Sequence, residues 1–148
     1  MTVIFTSISF EQGYPELGDE PYDILAAIKS SGAFIRDSWG ADIYDGVRRV
    51  NNDHVLPKST MCAFKETQLK SILDEHGITR LIFGGLVTDL CLETSIRSAY
   101  DQGFETIALV DGMASLSQEV HERTVEDNLP MFSKLMTHDA VITVLEQG

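Results

Sequence analysis

The stretch Leu81-Ile82-Phe83-Gly84-Gly85-Leu86-Val87-Thr88-Asp89-Leu90-Cys91 decides how the rest of the chain reads. Leu81 to Phe83 is a short apolar run, read as a buried strand, that breaks into two glycines. From Cys91 to Tyr100 a helix is predicted, with Leu92, Ile96 and Ala99 on one face and Gly103 as its stop. Strand, glycine turn and helix in that order form half of a βαβ unit, and the same alternation extends in both directions.

Upstream, Val3 to Phe10 is apolar and β-branched and reads as a strand. A turn-rich stretch with Gly13, Pro15, Gly18 and Pro21 separates it from a helix marked by Ile24, Leu25 and Ile28, ending near Gly32. Ala33 to Asn52 reads as loop with room for one helical turn. Val55 and Leu56 make a short strand that stops at Pro57, and Leu69, Ile72 and Leu73 mark a helix ending at Gly77. Downstream, Thr106 to Val110 is a strand, Ser115 with Gln118 reads as a capping box for the next helix, and Val141 to Leu145 is the last strand. Such alternation implies an α/β fold with a parallel sheet covered by helices on both faces. Ligands bind such sheets where the carboxyl ends of the strands open onto loops. The segments around Lys58 and after Gly85 both lie there.

Composition narrows the function classes. Lys and Arg total 11 against 23 Asp and Glu, a formal charge of −12, which disfavours nucleic acid and anionic membranes as partners. No apolar run has the length of a membrane span, and the start MTVIFTSISF lacks the marks of a signal peptide, so a cytoplasmic protein is expected. In that compartment Cys62 and Cys91 are expected as free thiols. The four histidines, His54, His76, His121 and His138, are too scattered for ligand spacing, and neither metal nor cofactor is predicted.

Cys91 has two readings. A thiol in the first turn of a helix meets the positive end of the macrodipole and unpaired amide N–H groups, which favour thiolate and could hold an oxyanion. The other reading is a small buried hydrophobe. Lys58 is either a solvated surface lysine or an ammonium that stabilises a nearby thiolate. Phe10, Trp39 and Phe64 either line a pocket or pack in the core.

The block Gly84 to Thr94, followed by Gly103 and Asp111-Gly-Met-Ala114-Ser115, resembles the signature of the isochorismatase-like cysteine hydrolases. So does the stretch Lys58…Cys62-Ala63-Phe64…Thr67-x-Leu69, with Cys62 where a Ser is commoner. The resemblance implies a three-layer α/β/α, Rossmann-like fold with a mostly parallel sheet, over residues 1–148 as one domain. It implies catalysis by Cys91 attacking the carbonyl carbon of a small amide or ureide to give a thioester, with Lys58 holding the thiolate. Leu86–Val87 becomes a cis peptide whose neighbourhood, with Val87 and Cys91, forms the oxyanion hole. Phe64 and Thr88 become substrate contacts, and the expected assembly is a homodimer or homotetramer. Cys91 argues against vinyl-ether hydrolysis of isochorismate itself.

The family's catalytic Asp lies in an Asp-x-Gln segment on a first strand. Val3 to Phe10 matches the second strand, so that strand and its helix have no counterpart in this sequence. A fragment or late-start sequence would explain the gap, as would a partner chain that supplies the strand and the Asp; Glu11, Asp37, Asp42 and Asp45 are conceivable acidic substitutes with no motif behind them. The rival reading is a catalytically impaired or non-catalytic binding or scaffold protein on the same fold.

Overall fold

A computed structural model describes residues 1–50 and 53–147. The chain packs as two compact units, Met1–Leu69 and Lys70–Gly148. In the first, β1 (Ile4–Ile8) and β2 (His54–Lys58) pair in parallel, with Ile4 opposite His54 and Ile8 opposite Lys58. Between them, α1 (Asp23–Ser31) ends at Gly32, whose φ of 69° is the left-handed conformation that glycine adopts without a Cβ clash. Residues 33–50 form turns and one bridge, Ile35 to Phe10, while Asn51 and Asn52 of the expected loop lie outside the described residues. Phe10, Tyr14 and Ile28 form the core of this unit, so Phe10 is a packing residue. Trp39 is 90% exposed and is not part of that core.

The sequence placed the end of β2 at Pro57, but the strand runs through it to Lys58. His54 N donates to the Val3 carbonyl at 3.1 Å, and the Lys58 carbonyl accepts from Ser9 N at 2.9 Å. The even-numbered residues of β2 therefore face β1. Pro57 points its missing N–H the other way, where it costs the ladder nothing.

The helix α2 (Leu69–Glu75) straddles the division and is closed by Gly77, at φ 61°, with Ile78 N bonded to the Leu73 carbonyl at 2.9 Å. In the second unit β3 (Arg80–Leu86), β4 (Glu105–Ala114) and β5 (Lys134–Met136) form a parallel sheet in that order. The helices α3 (Glu93–Asp101), α4 (Gln118–Arg123) and α5 (His138–Glu146) alternate with them. Leu92, Ile96, Ala108, Met113 and Leu129 form the core here, so the face of α3 predicted from Leu92, Ile96 and Ala99 is the buried one.

Three expectations need correction. Both β3 and β4 are longer than the apolar runs that announced them, because backbone pairing continues past the last bulky residue, and Leu81 to Phe83 is half-buried rather than buried. Val141 to Leu145 is helical, inside α5, and the last strand is β5. Thr137 accepts a hydrogen bond from Ala140 N at 3.3 Å and starts the helix. Only Val141 of that apolar run is buried, whereas Ile142, Val144 and Leu145 are about half exposed. A run this short does not distinguish strand from helix by its period.

The α5 N-terminus is tied to β4 by Asp111. Its carboxylate accepts from His138 N at 2.9 and 3.2 Å and meets His138 Nδ1 at 2.5 Å. The His138 side chain bond, followed by its backbone N–H, holds the Asp111 carboxyl below its ordinary 3.8. The Asp111 bond, then the charges of Asp139 and Asp111, holds the His138 imidazole above its ordinary 6.5. A raised imidazole stabilises the fold below 6.5 and loses that contribution as pH rises through the folded value. A lowered carboxyl stabilises above 3.8 and loses its contribution as pH falls through the folded value. The pair is therefore complete between these limits. An NMR titration of His138 is expected to give a midpoint above 6.5 that Asp111→Asn moves down, and a wild-type midpoint at or below 6.5 contradicts the pairing.

Candidate active site

Two glycines stand in the last part of β3, each for its own reason. A Cβ on Gly84 would lie 3.1 Å from the Gly112 carbonyl oxygen of β4, so the neighbouring strand would have to give by a few tenths of an ångström to admit one. The expected close approach is thus to backbone at this position. Gly85 has φ 126°, which side-chain-bearing residues rarely adopt. Between Phe83 and Gly85 the pairing with β4 shifts register, and Gly85 and Leu86 resume it opposite Met113 and Ala114.

The Leu86–Val87 peptide is cis, the isomer that the sequence resemblance implied. Leu86 is 72% exposed and Val87 half-buried. Thr88–Leu92 then forms a π-helical turn, in which Leu92 N reaches back to the Val87 carbonyl at 3.2 Å, and α3 starts only at Glu93. Cys91, expected at the start of an α-helix, stands in this wider turn just before it, half-buried. Single π turns of this kind concentrate at functional sites.

Three side chains hold the turn. Ser95 Oγ donates to the Cys91 carbonyl at 2.6 Å, Ser115 Oγ to Asp89 Oδ1 at 2.5 Å, and Thr88 Oγ1 bonds His121 Nδ1 at 2.9 Å. Thr88, an expected substrate contact, has no exposed surface. Ser115, expected to cap α4, is instead the tether to Asp89, and Ser117 caps the helix, accepting from Val120 N at 3.5 Å. In the sequence His121 is one of four histidines too scattered for metal-ligand spacing. It lies 33 residues from Thr88, and no local pattern in the sequence links the two.

Lys58 ends β2 in the first unit. It is only 6% exposed, and its Nζ donates to the carbonyls of Thr60 at 2.7 Å and Met61 at 3.2 Å. The surface-lysine reading is thereby overturned. Thr60 Oγ1 donates to the Cys62 carbonyl at 3.0 Å and Thr67 Oγ1 to the Ala63 carbonyl at 2.6 Å, so the segment after Lys58 folds on itself. Phe64 and the free Cys62 are half-buried within it. The structure thus gathers Leu86, Val87, Thr88 and Cys91 on one turn of the second unit, and Lys58 and Phe64 along one segment of the first. Of the acidic substitutes, Glu11 is paired with Arg36. Among the described residues no three His, Cys, Asp or Glu side chains come together as a metal site, and no helix is long and apolar enough to cross a membrane.

Chemically, a thiol stands at the carboxyl end of one parallel strand and a buried ammonium at the carboxyl end of another. Each lies, within its own unit, at the strand end where α/β sheets bind ligands. The turn carrying the thiol depends on Gly85. Gly85→Ala is expected to lower unfolding stability by about 1 kcal/mol or more, measured by urea denaturation, because alanine at this φ is strained. An unchanged midpoint contradicts the role given to this backbone.

A model of the isochorismatase domain family matches residues 1–140. Nicotinamidase 3 of Arabidopsis thaliana is 36% identical over 73 residues, which are 49% of this chain and 37% of the relative. Ureidoacrylate amidohydrolase RutB of Serratia proteamaculans is 30% identical over 97 residues, 66% of this chain and 39% of the relative. The matched part of the chain thus spans less than two fifths of these relatives' length. An isochorismatase-like hydrolase from Alkaliphilus metalliredigens matches in structure with a TM-score of 0.83 at 23% identity, over 97% of this chain and 73% of that one. The fold is therefore the expected three-layer α/β/α class.

Proposed function

Because the chain belongs to the isochorismatase family, we propose that it hydrolyses a C–N bond of a small amide or ureide through a thioester on Cys91. The observation that carries this reading is the placement of Cys91 in the π turn that follows Gly84, Gly85 and the cis Leu86–Val87 peptide. The resemblance to a nicotinamidase and a ureidoacrylate amidohydrolase supports a carbonyl–nitrogen substrate.

In this reading the Cys91 sulfur adds to the substrate carbonyl carbon, and the oxygen takes up the electron pair as an oxyanion. Amide N–H groups around Val87 and Cys91 hold that charge. The C–N bond breaks as the tetrahedral species collapses, the nitrogen leaves with a proton as ammonia or an amine, and a thioester remains. Water then adds to the thioester, the C–S bond breaks, the acid departs and the thiol recovers its proton. The family resemblance gives Lys58 the role of favouring the thiolate by its positive charge.

The purified chain is expected to release ammonia from a panel of small amides and ureides that includes nicotinamide and ureidoacrylate. Cys91→Ser should lower turnover by at least about a thousandfold, as loss of a covalent nucleophile does. Mass spectrometry of a quenched reaction should find the acyl group on Cys91 rather than Cys62. Lys58→Met should slow alkylation of Cys91 and leave Cys62 unaffected. No turnover on the panel, together with a Cys91 that alkylates no faster than Cys62, would support the binding or scaffold reading instead.

A further inference from the structure

We propose that His121 is a positioning residue for Cys91, acting through the buried hydroxyl of Thr88. The catalytic meaning of this inference rests on the hydrolase reading above, while the physical coupling does not.

Thr88 opens the turn that contains Cys91 and has no exposed surface. A buried hydroxyl without a partner costs about 1–3 kcal/mol, so its orientation is set by whatever group bonds it. That group is His121 Nδ1 at 2.9 Å. The bond forms with either ring tautomer, since the hydroxyl both donates and accepts. The turn itself is closed by Leu90 N and Leu92 N, which both reach the Val87 carbonyl at 3.2 Å. Its residues therefore move together, and a shift of Thr88 is passed to Cys91 three positions on.

His121 is well placed to impose that position. It sits in α4, whose start is capped by Ser117. The chain continues directly into a second π turn, Thr124–Asn128, with Thr124 buried, and on to Leu129, which lies in the same core as Leu92. Six residues before His121, Ser115 bonds Asp89, the residue next to Thr88. The link from β4 to α4 thus grips the nucleophile turn at two consecutive residues. Asp89 is held by a short bond from a half-buried serine, and Thr88 by an imidazole from the adjoining helix.

The geometry names its own test. An asparagine side chain places a polar atom where Nδ1 stands, whereas leucine fills the same space without one. Iodoacetamide alkylation of Cys91, with Cys62 in the same molecule as reference, would be followed in the wild-type chain, His121→Leu, His121→Asn, Thr88→Val and the double variant His121→Leu/Thr88→Val. Thermal midpoints would be recorded alongside. Each of His121→Leu and Thr88→Val is expected to slow Cys91 by about ten- to a hundredfold, the scale of an ångström-sized misplacement. The double variant should be no slower than the worse single one, His121→Asn should recover most of the rate, and Cys62 should not change. Where turnover is found, kcat should fall with Cys91 alkylation while KM stays within about twofold.

The inference is overturned if Cys91 reacts at the wild-type rate in His121→Leu, if asparagine fails to recover it, or if the two single effects multiply. It is also overturned if Cys62 slows in step with Cys91, since that marks general loosening. Should His121→Leu not fold, the comparison of His121→Asn with Thr88→Val decides in the same way, retention in the first and loss in the second being required. A reactive Cys91 indifferent to His121 removes this inference and leaves the hydrolase reading standing. A wild-type Cys91 no more reactive than Cys62 removes both.

Discussion

Where β3 meets β4, the carbonyl of Gly112 lies 3.1 Å from where a Cβ on Gly84 would stand, so a side chain there would crowd the neighbouring backbone. At this contact β3 shifts register, and pairing resumes at Gly85 and Leu86, after which the chain leaves the sheet. The cis peptide, the π turn and Cys91 follow within the next few residues. The same pairing extends β4 to Ala114, which delivers Ser115 to Asp89. The pairing of β3 with β4 thus leads into both the nucleophile turn and the residue that tethers it.

The two units solve the burial of polar groups in contrasting ways. Lys58 is a buried ammonium whose bonds to the Thr60 and Met61 carbonyls come from residues two and three positions away. These two bonds stay within the segment after β2. Thr88 is a buried hydroxyl whose partner is drawn from another helix, 33 residues on. An unbonded polar group inside a protein is costly in both cases. The second solution also couples separate elements, so the position of α4 bears directly on the turn that carries the thiol.

Much of this was legible in the chain. Gly32, Gly77 and Gly103 each have positive φ and stand at or just beyond the ends of helices, where the sequence placed the stops. The block from Gly84 to Cys91 announced a strand, a turn and a thiol at the start of a helix, and the structure has them in that order. These features are local: a glycine's missing Cβ and a residue's own backbone angles act over a few bonds, so the order of residues carries the information.

Other features were decided by which surface meets which neighbour. Val141 to Leu145 has the β-branched composition of a strand, yet the Thr137 cap and the tie of Asp111 to His138 make it a helix. Pro57 looks like a strand end until pairing with β1 turns its missing N–H away from the ladder. Ser115 and Ser117 are equally good caps by type, and only the proximity of Asp89 assigns one to the turn and the other to α4. His121 shares no pattern with Thr88, and their bond exists because two helical segments pack on a common core. The sequence by itself therefore determined the α/β alternation, the helix stops and the position of the thiol, because each is set by short-range backbone chemistry. Burial of Lys58, the clamp on the nucleophile turn and the nature of the last helix were decided by tertiary structure, because each depends on which elements pack against the segment once the chain is folded.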